Sequence, residues 1–177
     1  GTTLIADTQT GGRGRRGRTF ASPVGGLYLS TLLRPTESAD PGVITCRAAV
    51  AAARAIESLC DAKIDIKWVN DLYLNGKKVC GILTEAAGEY AVLGIGINVL
   101  SPKGGFPEDI KDRAGALFEK KEPFLREKVI VESESIPFPP ARFFHCPSDT
   151  NLFKKYNKKT YYRSQLCRKV IKRRNNS

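Results

Sequence analysis

A chain of 177 residues with 41% hydrophobic content is long enough to bury a core as one domain. Its formal net charge is +11, but residues 151–177 hold ten Lys or Arg and no acidic residue, leaving only +1 for residues 1–150. That distribution argues against a basic nucleic-acid face on the body of the protein, and no apolar run reaches the roughly 18 residues needed to cross a bilayer. The five cysteines, Cys46, Cys60, Cys80, Cys146 and Cys167, form no C-x-x-C pair and are odd in number. They fit a reducing cytoplasm better than a disulfide framework. The single histidine, His145, lacks partners for a zinc site and leaves little room for a Ser-His-Asp hydrolase, so no metal ligands are assigned. A chain that begins at Gly1 and contains no Met is expected to be a piece of a longer protein, or one recorded without its modified methionines.

In chain order, Thr2 to Asp7 reads as a strand that feeds into Gly11 to Arg18, "GGRGRRGR". Leu27 to Arg34 is a second strand. After a turn region, Val43 to Leu59 is predicted helical, with Val43, Ala48, Ala52, Ala55, Ile56 and Leu59 near helical period. Ile64 to Trp68 alternates as a strand. Asn75-Gly76 between apolar runs predicts a hairpin pairing Leu72 to Leu74 with Val79 to Glu85, because both residues tolerate positive φ. Tyr90 to Leu100 is a further strand, linked through Gly88-Glu89. Pro107 to Phe118 is predicted helical, 131–150 is an irregular connection, and 151–165 and 169–172 read as a basic helix and a strand. The pattern is α+β: a mixed, mostly antiparallel sheet flanked by helices.

The Gly/Arg octapeptide occurs once, between two strands, which separates it from repetitive Arg/Gly tails. Glycine allows close backbone approach to a ligand, and arginine supplies planar charged forks that suit carboxylate and phosphate. Taken alone, the octapeptide fits an anion-binding loop and a solvated turn equally well. It is not a Walker A loop, and "GIGIN" (Gly94 to Asn98) lacks the third glycine and the following helix of a dinucleotide fingerprint.

Three ordered segments, "GRGRRGRTFASPVGGLYLS", "KWVNDLYLNGKKVCGILTE" and "GIGINV", resemble the catalytic domain of biotin–protein ligases. The resemblance covers residues 1–100 well and 101–130 loosely. It implies a fold related to lipoate ligases and class II aminoacyl-tRNA synthetases, with a catalytic domain over 1–130 and a basic segment, 151–177, leading toward a truncated or missing C-terminal β-barrel. The implied reaction joins biotin and ATP into biotinyl-5′-adenylate, then transfers biotin to a lysine of a biotin carboxyl carrier protein domain.

The resemblance assigns Lys67 and Arg15 to catalysis, and Gln9, Arg13, Gly14, Arg15 and Lys67 to biotin. Gly12, Arg16, Arg18, Phe20, Asn70, Asp71 and Asn98 fall at the nucleotide, and Mg2+ is expected on the phosphates. Plain turn, surface or core roles compete for Arg18, Phe20, Asn70 and Asp71. Trp68, Leu72, Ile82 and Leu83 are expected in the core or pocket wall. Two departures stand out: Val69 occupies the family's usual proline position, and the upstream Ser/Thr-Asn segment that holds the biotin ureido ring is not in the sequence. Some family members form homodimers. Without a helix-turn-helix domain no nucleic-acid partner is expected. The competing readings are a lipoate–protein ligase, a basic nucleic-acid-binding module, and a degenerate ligase that binds without turnover.

Overall fold

A computed structural model describes residues 2–35, 40–60 and 62–119. The expected basic helix at 151–165, the strand at 169–172 and the divisions at 130 and 150 lie outside the described residues. Six strands form one sheet: β1 (Thr2–Ala6), β2 (Leu27–Leu33), β3 (Asp65–Lys67), β4 (Asp71–Leu74), β5 (Lys77–Ala87) and β6 (Tyr90–Ile97). Their spatial order is β1-β2-β6-β5-β4-β3. Every strand pair is antiparallel. Among the described residues, parallel pairing is confined to isolated bridges, such as Lys78 with Ala114 and Leu100 with Phe118. The β4–β5 hairpin turns at Asn75 (φ 51°) and Gly76 (φ 76°), the two positive-φ residues its sequence foretold.

One helix, α1 (Pro41–Leu59), covers one face of the sheet. Asp40 caps it by accepting the Gly42 N–H at 2.7 Å, and Pro41 opens it where no intrahelical N–H is needed. Ile44, Ala48, Ala49, Ala52, Ala53 and Ile56 meet Leu27, Leu29, Leu72, Cys80, Ile82, Leu93, Ile95 and Ile97 in the core. The small alanine side chains keep the helix close to the sheet. Glu57 then accepts the Ile64 N–H at 2.9 Å, tying the helix end to the approach to β3. Burial pushes the Cys80 thiol up to about 12, against a smaller downward pull from Lys78 and a small further rise from Asp71. Cys80 is therefore a core residue with an inert thiol.

Period-2 alternation turns the opposite face of the same strands, including Ser30, Gly81, Leu83, Glu85, Val92, Gly94 and Gly96, toward a cleft. The alternation breaks once. Leu72 pairs with Cys80 but Tyr73 pairs with Lys78, so Val79 is an extra residue in β5. Val79 and Cys80 are both buried, at 1% and 0% exposure.

The sequence reading differs from the structure at Pro107 to Phe118, and among the described residues α1 is the only α-helix. Residues 107–114 make helix-like turns, with the N–H groups of Lys111 and Ala114 donating to Pro107 and Ile110 carbonyls. The chain then extends instead of propagating a helix. Gly115 donates to Lys78, Leu117 to Asn98 and Phe118 to Val99. Backbone acceptors on and just beyond β5 and β6 need partners, and Gly115 is a poor helix residue, so pairing alongside the sheet prevails.

Candidate active site

The cleft has a volume of about 490 Å³. It is roofed by the Gly/Arg loop and floored by β5 and β6. The loop folds back on itself: Gly14 N–H donates to Arg18 O at 2.7 Å and Phe20 N–H to Gly12 O at 2.9 Å. Its tip, a 3-10 turn at Arg15–Gly17, puts Arg16 (φ 55°) and Gly17 (φ 73°) in the left-handed region. At Gly12 a Cβ would lie 2.3 Å from Phe20 O and 2.6 Å from Ser22 Oγ, so only glycine passes there. Gln9 sits at the loop's base, with its side-chain oxygen accepting the Ser22 hydroxyl at 2.8 Å.

Two exposed arginines are tethered to the sheet side. Arg13 pairs with Glu85 at 2.6 Å, and Arg15 donates to Asn70 Oδ1 at 3.2 Å. Asn70 donates in turn to Asp71 Oδ1 at 2.8 Å, and Lys78 Nζ lies 2.7 Å from the same oxygen. Lys67 ends β3 with its ammonium 5.5 Å from the centroid of the Tyr73 ring.

Phe20 lies flat on a glycine platform. A Cβ at Gly96 would come within 2.5 Å of its ring, and one at Gly81 within 2.7 Å. These glycines are cross-strand partners on β6 and β5. The ring also packs edge-on to Tyr28 at 6.5 Å, and Lys78 Nζ lies 5.6 Å from its centroid. Gly94, two residues before Gly96, meets nothing closer than ordinary contact distance, which leaves the floor open there.

Six cations, Arg13, Arg15, Arg16, Arg18, Lys67 and Lys78, line the cleft against two carboxylates, Asp71 and Glu85. Such a site attracts anions and can stabilise negative charge that builds up during a reaction. Both carboxylates are taken up by cations, and no group of three His, Cys, Asp or Glu able to hold a metal exists among the described residues. Among the described residues the cleft therefore holds no cluster of free carboxylates that could cage a cation.

Gln9, Gly12, Arg13, Gly14, Arg15, Arg16, Arg18, Phe20, Lys67, Asn70 and Asp71 all line this one cleft, although they come from two stretches of sequence about fifty residues apart. Asn98 does not line it. Its amide is buried at 7% exposure and donates to Gly115 O at 2.9 Å, holding the 114–118 segment against β6. Trp68, expected in the core or pocket wall, lines the cleft rather than the core and is 83% exposed, because β3 stops at Lys67 and Trp68 enters a turn. Leu72 and Ile82 are core residues, and Leu83 lines the cleft. Sequence reasoning missed Lys78 and Glu85 as lining residues. Alternation along β5 could have found Glu85. For Lys78 the only signal was the adjacent apolar pair Val79-Cys80, which breaks strict alternation.

Comparison with known proteins places this geometry. Residues 1–100 match the model of the biotin/lipoate A/B protein ligase family. Over 124 residues the chain is 43% identical to the bifunctional ligase/repressor BirA of Bacillus subtilis, covering 66% of the chain and 38% of that protein. It is 38% identical over 114 residues to the biotin–[acetyl-CoA-carboxylase] ligase of Paracoccus denitrificans, covering 59% and 48%. Among solved structures, the biotin protein ligase of Aquifex aeolicus in complex with biotin and ATP superposes with a TM-score of 0.68 at 40% identity, over 75% of the chain and 57% of that one. A lipoate protein ligase from Thermoplasma acidophilum shares the fold at 13% identity and a TM-score of 0.58. The chain thus spans less than two thirds of each of these relatives. With its glycine-floored cleft, its arginine loop and half of its length matched, the chain belongs to the biotin/lipoate A/B protein ligase family.

Proposed function

We propose that the protein is a biotin–protein ligase that activates biotin with ATP and passes it to a lysine of a carboxyl carrier protein. The observation that carries this reading is the convergence of the Arg13–Arg18 loop and Lys67 on one cleft, in a chain similar to a ligase solved with biotin and ATP. The biotin carboxylate is ionised at neutral pH, so the first step needs no strong base. It needs cations that let a carboxylate approach the α-phosphate. The carboxylate oxygen attacks phosphorus, the bond to the bridging oxygen breaks, and pyrophosphate leaves, giving biotinyl-5′-adenylate. A carrier lysine then attacks the carbonyl carbon of this mixed anhydride, expelling AMP and forming an amide.

In this reading Lys67 and Arg15 face the reacting carboxylate and phosphate. Gln9, Arg13 and Gly14 hold biotin, while Gly12, Arg16, Arg18, Phe20, Asn70 and Asp71 surround the nucleotide. Asn98 acts from behind, by fixing the end of β6. Magnesium enters only on the ATP phosphates. A carboxyl carrier domain is the protein partner, and a homodimer is compatible with the same scheme. Three free cysteines among the described residues accord with a cytoplasmic setting.

Calorimetric titration with biotin at low and high salt tests the binding half of the proposal. Saturable one-to-one binding that changes little with salt is expected. Absence of biotin binding, together with nucleic-acid binding that falls steeply with salt, would instead favour a basic nucleic-acid module.

A further inference from the structure

The bulge in β5 aims a charge. Gly81 faces the cleft, so strict alternation would put Val79 on the cleft side and turn Lys78 toward the core. The extra residue between the Leu72–Cys80 and Tyr73–Lys78 pairs reverses this, burying Val79 and returning Lys78 to the cleft face. The Lys78 stem runs 3.3 Å from where a Gly81 Cβ would stand, beside the Phe20 ring. Bulges of this kind commonly re-aim a side chain next to a functional site.

We propose that Lys78 is a further substrate-binding residue of the cleft, whose ammonium takes a phosphate of the nucleotide while Asp71 fixes its aim. An ammonium has three donors, and Asp71 Oδ1 engages the group from one side at 2.7 Å. The same oxygen accepts from Asn70, which holds Arg15. Lys78, Asp71, Asn70 and Arg15 therefore form one chain from the sheet floor to the loop. It sets a floor cation and a roof cation in a fixed relation across the space a polyphosphate would enter. The glycine platform holds Phe20 beside Lys78, so a base stacked near that ring would bring its phosphates within the ammonium's reach. This assignment rests on the ligase reading and adds to it a residue that the sequence motif alone did not single out.

The test uses the full chain with Lys78→Met, which keeps the stem on Phe20 and removes the charge, and Lys78→Arg, which keeps the charge. Biotin titration and the ATP and biotin dependence of pyrophosphate exchange are measured for each. Lys78→Met is expected to raise the KM for ATP about tenfold or more, the effect of losing one charge-assisted hydrogen bond. Biotin affinity should stay within about twofold of wild type, melting should be unchanged, and Lys78→Arg should recover much of the loss. An unchanged KM for ATP in a folded Lys78→Met protein overturns the assignment and leaves the ligase reading standing. So does a parallel loss toward both substrates with a lowered melting temperature, which would mark Lys78 as structural. A wild-type protein that neither binds biotin nor exchanges pyrophosphate overturns both.

Discussion

The proposed reaction places its heaviest chemical demand on Lys67. It is exposed, ends a three-residue edge strand, and has the Tyr73 ring for a neighbour. Removing it takes little from the core, so Lys67→Ala should unfold within a few degrees of wild type. If the ammonium neutralises charge as the carboxylate meets the phosphate, the same variant should lose about a hundredfold or more in adenylate formation. Single-turnover adenylate synthesis, with a parallel thermal melt, separates the two effects. Turnover close to wild type would remove Lys67 from the reaction. Asn98 shows the opposite relation between motif and chemistry. It stands in a segment that resembles a ligand-binding motif, yet its Nδ2 donates to the Gly115 and Lys78 carbonyls and it does not line the cleft. A polar residue in a matched motif can serve the scaffold that holds the site.

At the scale of elements, the β5–β6 ladder is both wall and floor, and its glycines are the device that makes it so. Gly81 and Gly96 pair across the ladder and leave room for Phe20 to lie flat. Gly96→Ala would drive a methyl into the ring, at a cost of about 1–3 kcal/mol by overpacking, and would shift Phe20 out of its place in the cleft. Phe20→Leu combined with Gly96→Ala should be less damaging than the sum of the two changes. A double-mutant cycle on stability and nucleotide KM should therefore show clear coupling. Additive effects would mean that the platform is not what holds the ring.

The strands, α1 and the Asn75-Gly76 hairpin were legible because period, capping and turn chemistry are local properties. The convergence of residues 9–20 with 67–71 was legible only through the resemblance, since no local pattern states which loop lies over which strand. Three features were not legible. The 107–118 segment has helix-like beginnings, but its end pairs with residues 78, 98 and 99, a non-local decision. Trp68 follows an alternating strand, yet that strand stops one residue earlier. The bulge that turns Lys78 into the cleft is an exception to the very periodicity by which strands are recognised.

For the molecule as a whole, one antiparallel sheet divides the labour. One face binds α1 through apolar contacts and keeps the ladder rigid. The other presents six cations, two paired carboxylates and a bare glycine floor. For the proposed reaction, whose intermediate is a water-sensitive mixed anhydride, a loop over a paired-strand floor would shield the reactants from water and keep them aligned. No helix among the described residues is long and apolar enough to cross a membrane. The measurement that bears most directly on this account is exchange of labelled pyrophosphate into ATP, with Mg2+ present, carrier protein absent, and biotin or lipoate supplied in turn. The account predicts exchange that requires biotin and does not appear with lipoate. Exchange supported by lipoate alone, or none with either acid from a folded chain, would contradict it.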